Sequence, residues 1–276
     1  MKKDTLKNLA QSALADTSLL SSYKRKLVFR IILLLFCFVL YFFYPPLESD
    51  ILNFDFQNLS LVHIVWLVLL LEMLLVFFRR SKISMGSVKQ FKRNYQKSSV
   101  EVSEEEVKAI KRRLNIGALK VLIVWLILNG AVALIYFINW IGIKELFILS
   151  ALYYVGDLVC VIYFCPFQRW FMHNRCCVTC RIFNWDQPMM VTPLLFIPSW
   201  YSYTLGAAAL FALIMWEYNF WKHSERFIEL LNENLQCRNC KDKMCVYRKP
   251  LIKTPKKLKN IEESIHKSKY NKDAKQ

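Results

Sequence analysis

The sequence predicts an all-α, polytopic integral membrane protein. It has four full transmembrane helices plus a Pro-broken membrane hairpin (or a fifth/sixth helix), with cytoplasmic Cys-rich segments. Three observations predict this. The chain is 55% hydrophobic, whereas soluble domains run at roughly 45–50% apolar even with glycine counted. Its apolar residues are clumped into runs close to the ~20 residues that cross a hydrocarbon core. Its net charge of +17 lies almost wholly outside those runs, as it does where basic loops face the cytoplasm and its anionic headgroups.

Residues 1–26 are a basic cytoplasmic arm. Leu6, Leu9, Ala13, Leu14 and Leu20 recur roughly at helical spacing, which fits a short surface helix or a loosely ordered arm. The first transmembrane hairpin covers 27–78. Its first span, 27–44, ends at Pro45-Pro46 and is followed by no small-residue cleavage site, so it reads as an anchor that stays. Its second span, 60–78, stops at Arg79-Arg80. The loop between them carries Glu48, Asp50 and Asp55 but no Lys or Arg, which places it outside and the N-terminus in the cytoplasm.

Residues 79–115 form a basic cytoplasmic insertion. Ser103 and Glu106 make a capping box there, and Val107, Ile110 and Leu114 line one side of the helix that follows. The second hairpin covers 116–164, with spans at about 116–138 and 146–164 around the outer turn NWIGIKE. A Cys-rich segment, 165–188, comes next.

Residues 189–221 are longer than one crossing needs, and Pro193 and Pro198 break a helix in the first third. A single crossing puts the densest basic segment of the chain outside. A broken hairpin, with a half-helix at about 189–199 and a longer helix at about 203–221, returns it to the cytoplasm and is preferred. Residues 222–248 hold the second Cys knot. Phe220, Phe227, Ile228, Leu231 and Leu235 predict an amphipathic helix over 217–236. Residues 249–276 read as a basic disordered tail drawn to anionic lipid, or as a run that serves only solubility and orientation.

The chemistry concentrates in the cysteines. Cys37 and Cys160 lie inside spans, where a lone thiol usually acts as a small hydrophobe. Cys165, Cys176, Cys177, Cys180, Cys237, Cys240 and Cys245 cluster in two knots, each with a C-x-x-C pair. That spacing lets two sulfurs take one ion from a single turn. A helix over 170–182 would set His173, Cys177 and Cys180 on one face, with Cys176 at its edge.

Cys177, Cys180, Cys237 and Cys240 would complete a four-thiolate zinc site shared between the knots. Cys165, Cys176 and Cys245 add enough thiols for an iron–sulfur cluster, which stands slightly ahead. Met172, Met189 and Met190 keep Cu(I) in play, although packing explains methionines more often. Arg169 and Arg175 would balance thiolate charge or simply obey the positive-inside bias. Disulfides and idle thiols are the bland alternatives.

Glu72 and Asp157 fall roughly 9–12 Å inside the cytoplasmic boundary at ~1.5 Å per residue, and Arg30 enters the first span from the same side. They would share one buried polar layer above the cysteines, as a structural ion pair or as a path for protons or cations.

No Walker loop, dinucleotide fingerprint, His-Glu-x-x-His or Gly-x-Ser-x-Gly elbow is present, and six glycines leave little room for a phosphate cradle. The basic runs carry no nucleic-acid recognition motif. The function that emerges is redox or electron transfer through a cytoplasm-facing metal site, beside a partner protein. A metal-ion transporter or sensor and a scaffold stapled by zinc are the alternatives.

Overall fold

In a computed structural model, described at residues 2–53, 60–78, 90, 94–100, 102–174, 176–177 and 179–239, all regular structure is helical. Only the isolated bridge between Lys97 and Asn232 pairs extended backbone. The elements are α1 (Lys2–Phe43), α2 (Leu47–Leu52), α3 (Leu61–Phe78), α4 (Glu104–Phe137), α5 (Ile143–Ile162), α6 (Asp186–Val191) and α7 (Trp200–Lys222). A π-helical turn, Phe167–Met172, and a 3-10 segment, Thr192–Phe196, join them.

Three helices are long and apolar enough to cross a membrane: Ser21–Phe43 within α1, and all of α4 and α5. Leu61–Leu75 of α3 forms a shorter apolar helix. α7 has the length, at 23 residues, but Tyr, Ser, Thr, Asn and Glu217 dilute its apolar run.

The first arm and the first span are one continuous helix of 42 residues, because nothing between Lys2 and Phe43 breaks it. Ser103 caps α4 as expected: its Oγ accepts from the Glu106 N–H and the Glu106 side chain accepts from the Ser103 N–H. The main core lies among α1, α3, α5, the 3-10 segment and α7, around Leu40, Leu69, Leu146, Leu194 and Leu205.

The broken stretch runs along the bundle. Asp186 begins it at the α5 end that carries Asp157, and Phe196 and Pro198 end it beside Ile143 and Glu145. Six α-helical and five 3-10 residues rise about 19 Å, which matches the twelve residues of α5 between those levels. Side-chain hydrogen bonds tie the broken stretch to itself and to its neighbours. Thr192 Oγ1 donates to Pro188 O at 2.7 Å, Trp125 Nε1 donates to Thr192 Oγ1 at 3.3 Å, and Ser150 Oγ donates to Met190 O at 2.7 Å.

Ser199 then caps α7 by accepting from the Ser202 N–H, and α7 returns the whole length. Tyr201 meets His63 at the far end, while Phe220 and Trp216 pack on Leu114, Phe183 and Trp185 at the other.

Two local expectations are overturned. The described residues of 173–182 are not helical: His173 adopts a left-handed φ of 49° and ends the π turn. The 217–236 helix stops at Lys222, and 3-10 turns Ser224–Arg226 and Glu233–Leu235 follow. There the chain pairs with residues 94–98. Ser98 N–H donates to Leu231 O at 3.0 Å, Glu233 N–H donates to Gln96 O at 2.9 Å, and fully buried Asn232 anchors the turn through Arg226 O.

A candidate thiol centre beneath a buried ion-pair layer

The thiol end begins where Pro166 follows Cys165. Cys165 sits just before the π turn, and its Sγ accepts from the Gln168 N–H at 3.4 Å. Cys160, one turn back on α5, and Cys177, from the loop after His173, come to the same point. Cys177 Sγ is 3.5 Å from Cys160 O and 3.6 Å from Gln168 Oε1. Hydrogen bonds from the Cys160 and Cys177 thiols, helped by the Gln168 and Phe167 N–H groups, outweigh burial and hold the Cys165 thiol well below its usual range. A thiol has one proton to give, so Cys177 serves one of its acceptors at a time.

Asn174 holds the loop in shape by donating to Cys176 O and Thr179 Oγ1. The Cys180 N–H closes a turn onto Cys177 O at 2.9 Å. Cys180 is buried, and burial pushes its thiol up to about 12. The loop leaves against α7 through a clamp. Arg181 forks onto Glu217 at 2.7 and 2.5 Å, stacks 3.8 Å over the Phe220 ring, and accepts at its carbonyl from Trp216 Nε1. Trp185 Nε1 donates to the same carboxylate at 2.8 Å.

The structure brings some of the expected ligands together and not others. Cys165 and Cys177 meet, joined by Cys160, whose place inside a span had marked it as a packing residue. Cys176 and Cys180 lie in the same loop. His173 is exposed at the turn, and no helix carries it on a face shared with Cys177 and Cys180. Cys237 is exposed on a 3-10 turn, Cys237–Asn239, with its Sγ 3.9 Å from Glu229 Oε1. Cys240 and Cys245 lie outside the described residues. Among the described residues, no three His, Cys, Asp or Glu side chains are arranged to hold a metal ion.

Above the thiols, Arg30 of α1 joins Glu72 of α3 and Asp157 of α5. Its Nη1 is 2.8 Å from Asp157 Oδ2 and its Nη2 is 3.3 Å from Glu72 Oε1. Tyr154, which sequence reasoning passed over as an apolar-run aromatic, completes the layer. Its carbonyl accepts from Arg30 Nη1 at 2.7 Å, its ring lies 4.1 Å from the guanidinium, and its hydroxyl donates to Glu72. Asp186 reaches the same depth, with its Oδ1 buried and lacking a hydrogen-bond partner among the described residues. Asp157 and Cys160 stand three residues apart on α5, hence on one face, so the two layers are contiguous.

Searches of protein families, of curated proteins and of solved structures find no match to this chain.

Proposed function

We propose that this chain is a multi-pass protein of the cell (inner) membrane whose thiol end faces the cytoplasm. There it holds a metal, as an iron–sulfur cluster or zinc, for redox or electron transfer with a partner protein. α1, α3, α4 and α5 are the full spans in this reading, and α6–α7 form the broken hairpin. Both termini are cytoplasmic, and the basic tail lies on anionic lipid.

One observation carries the reading: Cys160, Cys165 and Cys177 converge from three chain positions, at the end of the bundle where the Cys237 segment also docks. Clustered thiols with a stabilised thiolate are the donor set that soft and borderline metals prefer. Cys177, Cys180, Cys237 and Cys240 are the ligands of this reading. Cys165, Cys176 and Cys245 are further thiolates, and His173 is the nitrogen donor. A cluster supplies one-electron exchange, whereas zinc supplies a closed structural centre. The chain's own groups orient the donors: Gln168 and Asn174 fix the Cys165–Cys177 loop, and the Arg181–Glu217 clamp anchors it.

Passage of ions along Glu72 and Asp157 is the weaker reading, because Arg30 and Tyr154 already engage both carboxylates. The test is anaerobic purification in mild detergent, with elemental analysis and a visible spectrum on one sample. Iron with acid-labile sulfide supports electron transfer, and zinc near one per chain supports a structural centre. Absence of metal, with thiols that pair on oxidation, overturns the proposal.

A further inference from the structure

The end of the bundle opposite the thiols carries a second feature. α2, the turn between α4 and α5, and the 3-10 segment border a cavity of about 670 Å³ that is widely open to its surroundings. Small-molecule sites commonly occupy roughly 300–1,000 Å³. Its walls include the rings of Tyr136, Trp140, Phe196 and Tyr203, and two carboxylates, Glu48 and Glu145; among the described residues that line it there is no Lys or Arg, and Lys144 stands next to Glu145 in the chain.

The two acids differ. Glu145 is committed to the fold: it accepts from the Gly142 N–H at 2.7 Å and from the Tyr41 hydroxyl at 2.8 Å. Glu48 is exposed and makes no hydrogen bond or ion pair with a described residue. The indole N–H of Trp140 and the hydroxyl of Tyr203 are likewise uncommitted, on side chains 81% and 60% exposed. Asn139 adopts a left-handed φ of 62° that turns the chain and presents Trp140 beside the cavity.

A free carboxylate among aromatic faces selects a cation, since the ring faces and the carboxylate both attract positive charge. Uncommitted N–H and O–H donors select phosphate or ester oxygens. In the membrane reading proposed above, on which this inference rests, the exposed aromatic rings at the ends of apolar helices fall where Trp and Tyr meet lipid headgroups. A phospholipid whose headgroup carries an ammonium satisfies all three conditions together.

We infer that this cavity is a binding site for the headgroup of an ammonium-bearing phospholipid, phosphatidylethanolamine, drawn from the leaflet opposite the thiol layer. Glu48 takes the ammonium against the Trp140 and Tyr203 rings, and their N–H and O–H groups take the phosphate. Phosphatidylglycerol lacks the ammonium and meets two carboxylates, so the site rejects it.

Native mass spectrometry of the full chain tests this, with equal phosphatidylethanolamine and phosphatidylglycerol in the detergent. The expected result is retention of the ethanolamine lipid over the glycerol lipid by roughly tenfold. Glu48→Gln combined with Trp140→Phe should abolish that preference, and Glu48→Gln alone should weaken it. Both side chains are exposed, so the thermal midpoint of each variant should match that of the parent. Equal retention of the two lipids overturns the assignment, and so does a preference that survives both variants. Displacement of the lipid by soluble phosphoethanolamine at matched concentration overturns the lipid source, because it makes this a site for a water-borne ammonium compound.

Discussion

Arg30 governs how much charge the bundle can bury. Its guanidinium faces two carboxylates with only 10% of its side chain exposed. Removing one partner from such a pair leaves the other charged and unsolvated, which typically costs about 3–5 kcal/mol. Arg30→Met should therefore lower the unfolding midpoint in detergent sharply. Adding Glu72→Gln and Asp157→Asn should recover most of that loss, because no orphan charge then remains. A triple variant no better than Arg30→Met would refute charge compensation as the role of this layer. Depth alone made the three charged residues legible in the sequence. Tyr154 and Cys160 were not legible, since a tyrosine or cysteine in an apolar run looks the same whether it packs or bonds. A second prediction concerns Cys165. Its depressed thiol range means the thiolate persists as pH falls from 8 to 6, whereas an ordinary thiol with a pKa of about 8.5 slows roughly tenfold per unit there. Alkylation of metal-free protein, followed by peptide mapping, should show a nearly flat rate at Cys165 and little reaction at buried Cys180. A rate at Cys165 that climbs tenfold per pH unit would show that its neighbours do not stabilise the thiolate.

At the scale of elements, the π turn holds the thiol loop against α4, and Gly117 permits the contact. A Cβ at Gly117 would lie 2.9 Å from Met172 Sδ and 3.2 Å from Phe171 O. The sulfur can swing away, but the carbonyl is backbone and cannot. Gly117→Val should cost about 1–3 kcal/mol by overpacking and should raise the labelling rate of Cys177 as the turn shifts. Gly130 lies on the same helix with nothing within 4 Å of its Cβ position, so Gly130→Ala should be neutral or stabilising by up to about 1 kcal/mol. Equal effects of the two changes would mean that the π turn does not pack on α4 as described. The elements that could be read from the sequence were those with a local cause. The Ser103 box forms, and Pro45-Pro46 and Pro193 stop or break helices where they stand. The misread elements were set by tertiary contacts. The 173–182 segment has acceptable helical spacing, yet the left-handed His173 and the clamp of Arg181 on Glu217 hold its described residues as a loop. Residues 223–236 have an apolar stripe, yet Asn232 and the pairing with residues 94–98 hold them in tight turns.

The whole molecule is arranged as two ends with opposite chemistry. One end gathers the thiols, the Arg181 clamp and the 94–98 and 224–239 segments. The other gathers acidic and aromatic side chains around α2 and the turn at Asn139. The charge bias of the loops hinted at this polarity, but it left residues 189–221 undecided, because a long basic tail can be translocated despite its charge. Within the described residues the chain turns back on itself here. The 3-10 segment reaches the end that carries Glu145, and α7 brings the chain back until Lys111 Nζ donates to Trp221 O at 3.4 Å. Residue 99 and Cys237 are therefore on one side of the bundle, with Asn53 on the other, and all three are exposed. Cysteines introduced as Ser99→Cys and Asn53→Cys, together with native Cys237, should report this to a membrane-impermeant maleimide. In inside-out vesicles, positions 99 and 237 should be modified together and position 53 protected. Right-side-out vesicles should give the reverse pattern, and peptide mapping separates the native thiols from the introduced ones. If 189–221 crossed once, Cys237 would be labelled with position 53 instead. The second Cys knot would then lie across the membrane from Cys177, and no metal site shared between the knots could form.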